Sequence, residues 1–375
     1  MIKFRMLAYT DAAGKKSADA LQDGNEDNFY VDDDLGDNIP RHFVADKVIE
    51  LSSLGMLMVV ADGMGGMNAG EVASGIAMDT VAEYFAPNVV PIKTAMSHDL
   101  RKKYLEMVVA EADRRIKNDA KIHEEHLGMG STIVMAWIVG QEMTLCWCGD
   151  SRAYRFNPQS GIELLSKDHS YVQELVDRKY ISYDDAFCHP DNNLVTRSLG
   201  ATNKPASPDI RLIKLNQSDI ILLCSDGLNG VLRDKKTYDR EGTLIDGENI
   251  EDIIRDNSSS LVDCRKALWT AAEKAGWYDN VTVAMCEILE TDEFVGYKST
   301  NKKTYIAITA LLFVLVFSIW QLSQPHYKWE IPKYRCFIHY RQSAATIWDS
   351  LQNQHEYIPK FKIQDNICEA AINDI

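Results

Sequence analysis

Short acidic signatures sit at the ends of apolar runs in this chain. Gly24-Asn25-Glu26-Asp27-Asn28 precedes Phe29-Tyr30-Val31, and Asp62-Gly63-Met64-Gly65-Gly66 follows Met56–Ala61 (MLMVVA). Ser225-Asp226-Gly227-Leu228 follows Ile220–Cys224 (IILLC), and Asp279-Asn280 precedes Val281–Cys286 (VTVAMC). A strand that ends in Asp-Gly presents a carboxylate at the sheet edge, and the glycine permits a sharp turn that leaves its carbonyl open to approach. Taken alone, each Asp-Gly is an ordinary turn. Several brought together make a cluster of hard oxygen ligands, stable only when cations offset the repulsion between carboxylates. Oxygen ligands with retained water suit magnesium or manganese.

The elements that must position these residues are strands and helices in alternation. Besides the runs above, Thr132–Val139 (TIVMAWIV) and Met143–Cys148 are short, apolar and β-branched, as strands buried on at least one face are. Gly128-Met129-Gly130-Ser131-Thr132 opens one of them, and Cys148-Gly149-Asp150-Ser151-Arg152 closes the next. Gly70–Phe85, Leu100–Asn118 and Cys264–Lys274 carry apolar residues at helical spacing, which predicts sheets covered by helices. The 375-residue chain carries a net charge of −15, which argues against nucleic acid as a partner because backbone phosphates need a basic surface. Its eight cysteines form no CxxC pair and no zinc spacing. Cys146, Cys148, Cys188, Cys224, Cys264 and Cys286 read mostly as small hydrophobes of a reduced core.

The order NED, DGMGG, GST, GDSR, Leu-Ser-Lys-Asp-His, TRSLG, SDGL and DNVTV resembles the bacterial branch of the metal-dependent protein phosphatases, the PPM or type 2C family, from about residue 5 to 290. The resemblance implies an α+β fold, a four-layer αββα sandwich of two antiparallel sheets flanked by helix pairs. It implies two Mn2+ or Mg2+ ions bridged by Asp62, with the Gly63 carbonyl as a further ligand and Asp226 and Asp279 on the first metal. Glu26 and Asp27 would act through metal-bound water. Asp62, Asp226 and Asp279 are thus the expected catalytic set. They would position a metal-bridged hydroxide that attacks phosphoserine or phosphothreonine in proteins, with no covalent intermediate.

Departures from the family pattern matter. The family arginine that clamps substrate phosphate is Gln22 here, a change that removes a bidentate cation and leaves the phosphate-binding group unassigned, with Lys15, Lys16 and Arg41 as candidates for compensation. Met64 stands where eukaryotic relatives carry a candidate acid histidine, so leaving-group protonation would fall to metal-bound water. Asp150 is the family's third-metal aspartate, but its partner position is Gly230, which weakens such a site. Val172–Gly200 matches the flap beside the active site, with His169 and His189 read as hydrogen-bonding residues and Arg152 and Arg197 as loop supports. The alternative to an enzyme opposing a bacterial serine/threonine kinase is a catalytically weak pseudo-phosphatase serving as a membrane-tethered binding module.

Beyond a phosphatase domain at 1–290 and a polar linker at 291–303, residues 304–322 read as a single transmembrane helix. The run Tyr305–Leu322 has no charge, and Tyr305 and Trp320 lie near its ends. The N-terminus lacks the apolar run of a signal peptide, so the phosphatase domain is expected in the cytoplasm of a membrane-anchored protein. Residues 323–375 would form a small extracytoplasmic tail, where Cys336 and Cys368 could pair.

Overall fold

Apolar residues on both faces of the same strands decide the architecture. In β4 (Met56–Met64), Met56, Met58 and Val60 enter one core while Leu57, Val59 and Ala61 enter another. β6 (Ile133–Val139) divides in the same way, with Val134, Ala136 and Ile138 set against Ile133, Met135 and Trp137. Side chains alternate across a strand, so an unbroken apolar run means burial on both faces. In the computed structural model, residues 2–12, 24–36, 47–65, 69–200, 204–237, 247–277 and 279–290 are described.

One sheet has the order β3 (Ile49–Glu50), β1 (Lys3–Asp11), β12 (Val281–Glu290), β11 (Ile220–Cys224), β8 (Arg152–Asn157) and β9 (Gly161–Leu164). The other runs β10 (Asp209–Lys214), β7 (Glu142–Cys148), β6, β4 and β2 (Asp27–Asp32), with the short β5 (Gly130–Ser131) beside β4. The pairings are antiparallel throughout. Between the sheets pack Met6, Met58, Val134, Leu145, Ile221 and Ala284. The outer face of the second sheet buries α1 (Ala69–Tyr84) and α3 (His98–Ile122), through Val81, Leu105, Val109 and Ile116. The outer face of the first buries α7 (Ile250–Asn257) and α8 (Leu261–Ala275), through Ile254, Cys264 and Leu268. This is the four-layer αββα sandwich that the resemblance implies.

Capping fixes where the helices start. Ser97 accepts from the Leu100 N–H at 3.4 Å to open α3, and Ser260 accepts from Asp263 N–H at 3.2 Å to open α8. The expected strands and helices all form, some with longer ends: the expected run Val281–Cys286 extends to Glu290. Of the cysteines, Cys146, Cys148, Cys224, Cys264 and Cys286 are free and buried, as expected, whereas Cys188 is exposed. The chain divides into Met1–Ser299 and Thr300–Ile375, and all described residues belong to the first unit. The expected membrane helix at 304–322 and the Cys336–Cys368 pair lie outside the described residues, as do Gln22, Lys15, Lys16 and Arg41. Among the described residues, no helix is long and apolar enough to cross a membrane.

Candidate metal centre

Antiparallel order brings the acidic signatures to one end of the sandwich. β2 and β12 start there, while β4, β7 and β11 end there. Asp27 and Asp62 are direct partners across β2 and β4, and Asp150 and Asp226 follow β7 and β11 within two residues. Two hydrogen bonds stitch the sheets together at this end. Ser225 Oγ donates to Asp27 Oδ2 at 2.6 Å, and the Glu26 N–H donates to Asn280 Oδ1 at 3.0 Å. Asn25 joins them, donating from Nδ2 to Thr10 Oγ1 at 2.8 Å while its Oδ1 accepts from the Asp27 N–H at 3.1 Å.

The small residues of the motifs are there for close approach. A methyl group on Gly63 would lie 2.1 Å from the Gly70 carbonyl oxygen, and one on Gly227 would lie 1.9 Å from that of Asn280. Backbone cannot yield to such contacts, so glycine is required at both. Thr132 Oγ1 accepts from the Asp62 N–H at 3.0 Å and meets Ser151 Oγ at 2.6 Å. The GST and GDSR turns therefore brace the strand that carries Asp62.

Electrostatics sets this end apart from the rest of the molecule. Burial, opposed only in part by the Ser225 and Thr282 hydroxyls, pushes the Asp27 carboxyl up to about 8, helped by the charges of Asp226 and Asp279. Burial and then Asp226 and Asp27 hold Asp62 well above the usual carboxylate range. Asp150 is raised by burial and by Asp226, and Asp226 by burial and by Asp279. The Asp62 and Asp226 carboxyls lie close enough that each perturbs the other. Asp226 Oδ1 is nevertheless buried with no hydrogen-bond partner.

A divalent cation fits this donor set. The groups are all oxygen, they repel one another, and one buried oxygen is orphaned, so an incoming cation would offset the repulsion and supply the missing partner. Among the described residues no three acidic, cysteine or histidine side chains already stand as a ligand shell, as uncompensated carboxylates would avoid doing. The structure thus gathers Asp27, Asp62, Asp150 and Asp226. Asp279 stands exposed at the rim, its Oδ1 accepting from the Asn280 N–H at 2.8 Å. The Glu26 carboxylate lies against Gly70 at the start of α1. Its backbone carbonyl accepts from the Gly63 N–H at 3.1 Å and from Ser74 Oγ at 2.6 Å.

The arginines and histidines near the site are committed to the scaffold. Arg152 pairs with Asp168 at 2.7 Å and Asp234 at 3.2 Å, and Arg197 with Asp209 at 3.0 Å. His169 is buried and stacked on Trp147, with Nδ1 accepting from the Gly149 N–H at 3.1 Å, while burial lowers its pKa. His189 Nδ1 accepts from the Asp191 N–H at 3.1 Å. Sequence reasoning missed the stapling roles of Asn25, Ser225 and Asn280. Their letters stood inside the motifs, but nothing local showed that they reach a second sheet.

The sequence profile described as protein phosphatase 2C matches residues 45–246, more than half of the chain. The chain belongs to the protein phosphatase 2C family. The matched stretch of this 2C chain contains Asp62, Asp150 and Asp226, whereas Glu26, Asp27 and Asp279 lie outside it. It is 29% identical to the serine/threonine phosphatase stp of Listeria welshimeri over 231 residues, 62% of this chain and 84% of that one. The crystal structure of the Staphylococcus aureus serine/threonine phosphatase Stp1 is similar at 28% identity and a TM-score of 0.60, covering 76% of this chain and 95% of that one. The catalytic domain of the phosphatase PstP, solved in complex with two manganese ions, shares the fold at 24% identity and a TM-score of 0.57, over 77% of this chain and all of that one.

Proposed function

We infer that this chain hydrolyses phosphoserine and phosphothreonine in proteins, with two Mn2+ or Mg2+ ions held by Asp62, the Gly63 carbonyl, Asp226 and Asp279. The observation that carries this reading is the gathering of mutually repelling, half-buried to buried carboxylates at one end of a 2C-family sandwich, one with an orphaned oxygen. When bound, the ions would offset the charge of the phosphoryl oxygens and lower the pKa of water. The chain's own residues supply the geometry. Thr132 fixes the backbone at Asp62, Ser225 and Thr282 orient the Asp27 carboxyl, and Asn280 ties Glu26 to the opposite sheet. Asp27 and Glu26 act through water in this reading. Asp150 lines the cleft beside Asp226, and with Gly230 opposite adding no ligand a third ion would be held weakly. The buried cysteines have thiols pushed up by burial, which suits direct hydrolysis rather than a thiolate nucleophile.

The physiological setting we propose is a protein anchored once in the cell membrane through residues 304–322, with the phosphatase domain cytoplasmic and acting on a serine/threonine kinase and its substrates. Its support is the uncharged Tyr305–Leu322 run; release of the full chain from membranes by alkaline carbonate would refute it. The function itself is tested by turnover of a phosphothreonine peptide by the full-length protein with manganese, with chelator, and beside Asp226→Ala. Manganese-dependent turnover lost in the other two samples is expected. Folded protein that turns over no peptide would instead establish a binding module.

A further inference from the structure

The turn that carries Asp279 is built differently from the other acidic signatures. Ser225 Oγ donates to the Asp27 carboxyl, and Thr132 fixes the backbone at Asp62. The Asp279 carboxylate is exposed, and among the described residues its one hydrogen bond comes from the N–H of its own neighbour Asn280. Where Asp279 stands is therefore decided by the backbone that leads into it. On leaving α8 that backbone passes through Gly276 at φ 123° and Trp277 at φ 39°. Glycine adopts the left-handed region freely, but a bulky aromatic residue does so only where its surroundings force it.

Two anchors force it here. The Trp277 N–H donates to the Ala272 carbonyl at 3.0 Å and closes the end of the helix. The indole is buried edge-on against Trp269 with ring centres 6.3 Å apart, and Trp269 in turn meets Tyr9 edge-on at 5.4 Å. Arg265 lies over Tyr9 at 4.2 Å and over Trp269 at 5.7 Å. Among the described residues neither buried indole N–H finds a hydrogen-bond partner, so bulk rather than polarity keeps these rings in place. The same core holds Leu228 of the single turn α6 (Asp226–Asn229) and Val281 at the start of β12. The close approach of Gly227 to Asn280 joins those two segments. The ring thus sits in the core beneath both turns that deliver acids to the centre.

We propose that Trp277 is a positioning residue for the metal centre: its buried indole holds a left-handed turn that sets Asp279 to share an ion with Asp226. This deepens the proposed function and rests on its assignment of Asp279 as a ligand. A glycine would make the turn without strain but would leave it several conformations. Burial of the indole offsets the strain and leaves it one.

The test is manganese binding to the full-length protein by isothermal titration calorimetry, with the melting temperature in chelator measured beside it. Trp277→Gly should bind manganese about tenfold more weakly than the parent, the lower end of what is lost when the support of a metal ligand is removed. Trp277→Phe keeps an aromatic plug and should stay within about twofold of the parent. Trp269→Leu loosens the same core away from the turn, and should lower the melting temperature without changing manganese affinity. In an Asp279→Ala background, Trp277→Gly should cause no further loss, because it acts through the missing carboxylate. Unchanged affinity in Trp277→Gly, or an equal loss in the Asp279→Ala background or in Trp269→Leu, would overturn the proposal. Should Trp277→Gly not fold, Trp277→Leu carries the same comparison, with binding about threefold weaker expected and unchanged binding overturning it. A parent protein that bound no manganese would refute the metal-centre reading itself. One that bound manganese but turned over no phosphothreonine peptide would refute the phosphatase reading alone.

Discussion

Arg152 and Asp226 line the same cleft, yet the charges around them are built on opposite plans. Around Arg152, both oxygens of Asp168 accept from the guanidinium, and Asp234 is held by Arg152, Tyr154 and Tyr183. Burial alone would lower the Arg152 pKa, but Tyr154, Asp168 and Asp234 outweigh it and raise it. Around Asp226 the Asp27, Asp62 and Asp150 carboxyls are raised with it by burial and by one another's charge, and one buried Asp226 oxygen has no hydrogen-bond partner. Buried charges with complete internal partners hold a fold together, whereas charges held apart from partners await a ligand. The comparison separates scaffold from site without reference to motifs.

The sharpest way to break that contrast is Asp226→Asn. Turnover with manganese should fall at least about a thousandfold, the scale of losing a preorganised electrostatic group. In chelator the same variant should be more stable than the parent by roughly 1 kcal/mol, because a like charge has left the cluster. Thermal unfolding with and without manganese reads both sides: the parent gains stability from the metal and the variant does not. A variant destabilised in chelator would put Asp226 in the same structural class as the Arg152 network. That network should respond in the other direction. Arg152→Met leaves Asp168 without its guanidinium and Asp234 with only the Tyr154 and Tyr183 hydroxyls, and should cost about 3 kcal/mol in urea unfolding, while the stabilisation by manganese persists.

Which parts of this contrast the sequence disclosed follows from how far each interaction reaches. Strands such as Ile220–Cys224 were legible because both faces are buried and the run is wholly apolar. β8 (Arg152–Asn157) was not, since Arg152 and Arg155 interrupt its apolar pattern to make ion pairs. The acids Asp27, Asp62 and Asp226 were legible as motif letters at strand ends. Asp234 was invisible, because its partners Tyr154 and Tyr183 are distant in sequence and Lys235 and Lys236 surround it with charge. Asp150 could be named but not weighed: its neighbour Asp226 is brought near only by the pairing of β11 with β8.

The finest test concerns a single proton in the acidic cluster. Asp27 titrates at about 8 in the fold and at its ordinary value of 3.8 in the unfolded chain. Below about pH 4 it is protonated in both states and the fold keeps its full contribution. Between 4 and 8 the unfolded chain releases the proton while the fold retains it, so stability falls as pH rises, and it levels off above 8. Asparagine cannot titrate, and its side-chain oxygen still accepts from Ser225. The melting temperature of Asp27→Asn minus that of the parent, measured in chelator, should therefore start near zero at pH 4. The corresponding difference in stability should widen to several kcal/mol by pH 8. Manganese should shrink the gap, since cations near Asp27 favour its charged form. A gap that stayed constant with pH would mean that Asp27 is ionised throughout and belongs, like Asp168, to the paired half of the comparison.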